Sequence, residues 1–123
     1  MEVSEQTSDL AQINDWKATI ESTRDAIRSM RTQLEQIALQ KTDDDSRAQI
    51  EHFENQFLRQ IEVADEMHHD LKQSAKKISN NGQLIVLHGD RPIDNPEVLQ
   101  DRMHTFVKLF NELEKEFNNF ISY

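Results

Sequence analysis

Apolar residues fall along the first part of the chain at Ile13, Trp16, Ile20, Thr23, Ile27, Met30, Leu34 and Ile37, alternating steps of three and four with a polar lapse at Thr23. Such an a/d heptad seam returns to one side of a helix at every second turn. Ser8 is a suitable N-cap, and neither Gly nor Pro interrupts the chain from there to Gln40. The pattern predicts a helix over about 8–40, roughly 33 residues and ~50 Å long at the α-helical rise.

A second stripe follows at Ile50, Phe53, Phe57, Ile61, Ala64, His68, Leu71, Ala75 and Ile78. Thr42 reads as its N-cap, with Asp43, Asp44 and Asp45 in a first turn where carboxylates meet the positive end of the helix dipole. Asn80, Asn81 and Gly82 supply the left-handed stop, so this helix spans about 43–80. The short connection forces the two helices antiparallel. If their residue numbers sum to about 84 across the pair, Trp16 faces His68 and Ile20 faces Ala64.

Residues 82–95 break the period and form a loop whose apolar centre is Leu84, Ile85, Val86 and Leu87. Asn95 before Pro96 is an N-cap and N1 pair. Beyond it Leu99, Met103, Phe106, Phe110, Leu113, Phe117 and Phe120 repeat at four and three, predicting a third helix over about 96–121. Its rings are expected to pack on the small residues Thr23, Ala64 and Ala75. The expected fold is all-α: a single domain over 1–123, an up-down-up three-helix bundle built on a long antiparallel helical hairpin.

Composition sharpens this picture. Hydrophobic residues are 36% and charged residues 30% of the chain, against about 45–50% and 25% in ordinary domains, a lean core suited to long helices. With Gly and Pro at two each, the tight turns of all-β and dinucleotide-binding folds are excluded. A formal charge of −9 argues against nucleic acid, whose binding rests on phosphate neutralisation. There is no Cys, hence no disulfide, thiolate metal site or cysteine nucleophile. No secretory signal pattern and no apolar run of membrane-spanning length appear, so the expectation is a cytoplasmic protein without membrane insertion.

Few residues carry candidate chemistry. Glu66-x-x-His69 and Asp101-x-x-His104 have the spacing by which ferritin-like bundles present ligands to a di-metal centre. Both pairs fall outside their helix stripes and are expected to face water, which leaves no metal and no cofactor in the leading reading. His68 sits on the predicted seam and is expected to be buried beside Trp16, with His69 and His104 exposed. Lys17, Arg24 and Arg31 recur at heptad spacing beside the first seam, a pattern for inter-helical pairing with acidic residues such as Glu114 and Glu116.

The run from His69 to Ile78 resembles the motif of histidine phosphotransfer domains, an exposed helical His followed by Leu71, Lys72, Ser74 and Ile78 at the family's offsets. The resemblance implies His69 as phospho-acceptor, Lys72 as its charge partner and a receiver domain as the protein partner. Gln73 stands where the family has Gly, and the pattern supplies three helices where the family's core has four.

The leading reading is a non-enzymatic interaction or structural module that self-associates. Because the third helix is shorter than the hairpin arms, about two turns near Ile37, Ile50 and Phe53 are expected to lack a cover. With the loop Leu84, Ile85, Val86 and Leu87, these form the expected interaction surface, most simply a two-fold homodimer. Phosphotransfer through His69 and a di-metal enzyme are the alternatives.

Overall fold

A computed structural model describes residues 2–79 and 95–122 of the chain. They form three helices: α1, Glu2–Gln40; α2, Asp44–Ser79; and α3, Pro96–Ile121. Each helix contacts the other two, and the α1–α2 contact is the most extensive. His52 lies near Glu116 and Asp70 near Arg102, so α3 runs antiparallel to α2 and the bundle is up-down-up. The segment Leu84 to Leu87 lies outside the described residues.

The helix ends follow local chemistry. α1 begins at Glu2, six residues before the expected Ser8 cap. The cap of α2 is Asp43 rather than Thr42: its Oδ2 accepts from the Ser46 amide at 3.1 Å, and its carbonyl accepts from the Arg47 amide. Hydrogen bonds from the Ser46 hydroxyl and amide hold the Asp43 carboxyl below its ordinary range. Asn95 caps α3 as expected, its Oδ1 accepting from the Val98 amide at 2.9 Å, with Pro96 at the first helical position.

The core falls into two clusters along the bundle. One, at the α1–α2 turn, joins Ile27, Met30, Leu34, Ile50, Phe53, Phe57, Phe110, Leu113 and Phe117. The other joins Ile13, Ile20, Ala64, Met67, Leu71, Leu99, Met103 and Phe106. In the first, rings pack on rings rather than on small residues: Phe117 stands edge-on to Phe53 at 5.4 Å and to Phe57 at 5.3 Å. Phe120 reaches Phe53 at 5.2 Å and lies under the Lys41 ammonium.

That reach closes the end of the hairpin. Ile50 and Phe53 are buried and Ile37 packs against the same cluster, so the turns expected to be bare are covered within the chain. α3 ends at Ile121 as the spacing predicts, and the end is covered because the rings of Phe117 and Phe120 reach past their own backbone onto Phe53. Among the described residues, Leu39 and Ile121 are large apolar residues left exposed at this end.

The hairpin register also differs from the sequence expectation. Arg24 meets Asp65, and Glu21 meets His68, so numbers across the pair sum to 89 rather than 84. Side chains lean toward the N-terminus of their own helix, so antiparallel partners meet beyond the level pair, which accounts for part of the offset. Glu21, not Trp16, therefore faces His68.

Candidate functional site

Along α2 the buried positions Ile50, Phe53, Phe57, Gln60, Ala64, Met67, Leu71 and Ser74 form an unbroken three-four heptad, with Asp70 buried beside them. Beside it runs the edge Gln56, Val63, Asp70, which faces α3. The matching edge of α3 is Arg102, Leu109, Glu116. Asp70 and Arg102 join across the interface at 2.7 Å. Val63 and Leu109 both line two adjoining cavities, of about 660 Å³ and 330 Å³, which together make one groove between α2 and α3.

The groove floor is apolar in the middle and charged at its ends. Val63 is half-buried and Leu109 is 46% exposed, above the buried Met67 and Phe106. Gln60 also lines both cavities. It is only 7% exposed, yet its Oε1 has no hydrogen-bond partner among the described residues. A buried amide oxygen left unmatched costs about 1–3 kcal/mol, so such groups are scarce where a surface is complete.

On the other side of α2, Arg24 of α1 binds Glu21 and Asp65 at 2.5 Å each, fastening α1 to α2. The expected partners Glu114 and Glu116 on α3 are not used by Arg24, and Glu116 instead lies 4.0 Å from His52. His68 joins the edge of this group, 3.8 Å from Glu21, with 28% of its side chain exposed. It is therefore a boundary residue, and Met67 takes the core position. Burial lowers the His68 pKa below its ordinary value, and Arg24 pushes the same way against Glu21. Both effects favour the neutral imidazole, and its approach to Glu21 is an ion pair only when the ring is protonated.

The remaining candidates are dispersed. His69 is half-buried and Lys72 exposed, one turn apart on the side of α2 away from its core stripe. Gln73 beside them has its Oε1 enclosed and without a partner among the described residues, occupying the position where a phosphotransfer motif leaves space. Glu66 and Asp101 are exposed at the rim of the groove, and His104 is exposed. Among the described residues, no three His, Asp or Glu side chains gather into a group able to hold a metal ion. No helix among them is long and apolar enough to cross a membrane.

Sequence reasoning missed Gln60, Asp70 and Arg102. The available signal was the heptad itself, since Gln60, Met67 and Ser74 continue the phase of Phe53 at seven-residue steps. No family model, no curated protein and no solved structure matches the chain.

Proposed function

We propose that the protein is a non-enzymatic helical interaction module that self-associates through the groove between α2 and α3. The observation that carries this reading is the half-buried Val63 and exposed Leu109 beside the enclosed oxygen of Gln60, which has no partner among the described residues. A finished helical surface turns charged residues outward along its whole outer face. Here an apolar strip with polar ends is left open between two helices, the composition of a protein contact rather than of a reaction centre.

Because the chain has no Cys, a Thr105→Cys variant carries a polarity-sensitive fluorophore at one place on the groove rim. Its emission is expected to shift to shorter wavelength as protein concentration rises through the micromolar range. Emission typical of water at every concentration would overturn the reading.

A further inference from the structure

Resting on that reading, we infer that the groove is closed by a second copy of the chain. A two-fold axis lying across the helices sets α2 antiparallel on the partner's α2 and α3 antiparallel on the partner's α3. The evidence is the order of charges along the groove. On α2, Arg59 and Glu66 lie at equal distances from a centre between Glu62 and Val63, and Arg59 is also 3.5 Å from Glu62 on its own helix. On α3, Arg102 and Glu116 lie symmetrically about Leu109, and Asp101 and Lys115 about Lys108. Each of these pairs has opposite charges at equal distance from its centre. Reversing one copy against another therefore places Arg59 against Glu66 of the partner subunit, Arg102 against Glu116 of the partner subunit and Lys115 against Asp101 of the partner subunit.

One axis can do this only if the centres on α2 and α3 lie at the same height. The pairs His52–Glu116 and Asp70–Arg102 have numbers summing to 168 and 172. A sum midway between them puts the α2 centre level with residues 107 and 108, within about one helical residue of the centres on α3. Glu112, the remaining acidic residue of the groove, then faces Thr105 of the partner subunit, whose hydroxyl can donate to it. Arg102 already serves Asp70, but its five N–H donors can hold a second carboxylate. The alternative parallel stacking brings the acidic end, Glu66 and Asp101, against itself at two places, whereas the antiparallel stacking brings only the exposed Lys108 near its own copy at the axis, so like-charge repulsion favours the latter.

Size sets the strength. From Asp101 to Glu116 is ~24 Å of helix, and two helices side by side are ~20 Å wide. The patch removes roughly 1,000 Å² from water over both copies, at the low end for specific interfaces, so a concentration-dependent monomer–dimer equilibrium is expected rather than an obligate dimer.

Sedimentation equilibrium of the full chain from micromolar to millimolar concentration tests this, with circular dichroism melts to confirm that each variant folds. Arg59→Glu and Glu66→Arg each set like charges together at two symmetric places and should weaken the dimer roughly threefold to thirtyfold. The double variant exchanges the charges and should recover the original affinity. Under mild oxidation Leu109→Cys, near the axis, should form a disulfide dimer much faster than Ser29→Cys on the exposed side of α1. A dimer whose double variant fails to recover, or whose Leu109→Cys links no faster than the control, overturns this geometry but leaves self-association standing. A 14.5 kDa species at every concentration overturns both, and the groove then belongs to a different partner or to none.

Discussion

Asp70 Oδ2 accepts a hydrogen bond from Arg102 Nη1 at 2.7 Å, joining α2 to α3 where the carboxylate side chain is 7% exposed and the guanidinium 24%. The pair anchors the acidic end of the groove and fixes the height at which the two helices meet. Replacing Arg102 by Met should take a charge-assisted hydrogen bond from a buried carboxylate. Breaking a fully buried pair costs about 3–5 kcal/mol, and partial solvent access to Arg102 lowers the expected loss to roughly 2–3 kcal/mol. Denaturant unfolding measures it, and Asp70→Leu combined with Arg102→Met should recover most of the loss. A single variant within 0.5 kcal/mol of the parent protein, taken as ~0 on the scale of surface substitutions, would refute the assignment.

The ring cluster at the turn end should dominate stability. Phe117 is fully buried between Phe53 and Phe57, so Phe117→Ala is expected to cost about 3–5 kcal/mol. Phe120 lies half-exposed at the edge, and Phe120→Ala should cost distinctly less. Equal losses at the two positions would mean that the cluster is not ordered as described.

His68 gives the bundle a pH dependence of known sign. Its pKa is lowered in the folded state by burial and by Arg24, so the unfolded chain takes up the proton first as pH falls. Stability is therefore full above the unfolded value near 6.5 and declines below it until the folded pKa is passed. His68→Gln should remove that part of the slope, measured as the difference between parent and variant unfolding free energies between about pH 7 and pH 5.5. Parallel profiles for the two proteins would contradict the account.

The start of α3 hangs on one side chain. Asn95 Oδ1 holds the Val98 amide, and Asn95→Ala should cost about 1 kcal/mol, with faster amide hydrogen exchange confined to the first turn. Asn95→Asp should keep the cap and add a favourable charge at the helix N-terminus.

α1 and α3 were legible from periodicity alone. Ile13, Ile20, Ile27, Met30 and Leu34 are buried as their spacing requires, and so are Leu99 through Phe117 on α3. Each of these helices packs through one main stripe, and a stripe at three-four spacing is what a linear pattern can express. Pro96 after Asn95 located the start of α3 to the residue, because a fixed φ and a side-chain acceptor are local properties.

α2 was different because it lies between two neighbours, and its buried arc includes positions that hydropathy does not mark. Periodicity chose Ile61 and His68, whereas the heptad phase places Gln60 and Met67 inward and leaves Ile61 and His68 at the boundary. Asp70 reads as a surface residue until Arg102, thirty-two positions away, supplies its partner. The cover on Ile50 and Phe53 likewise depended on where the rings of Phe117 and Phe120 end. Helix identity, phase on α1 and α3, and the Asn95 cap are set by neighbours within a turn or two along the chain, whereas the Ser8 and Thr42 positions show that a capping residue type alone does not fix where a helix begins. The register of the hairpin, the groove and its charge order arise only when distant segments share a surface, because burial and ion pairing depend on distance in space and a linear pattern carries only distance along the chain.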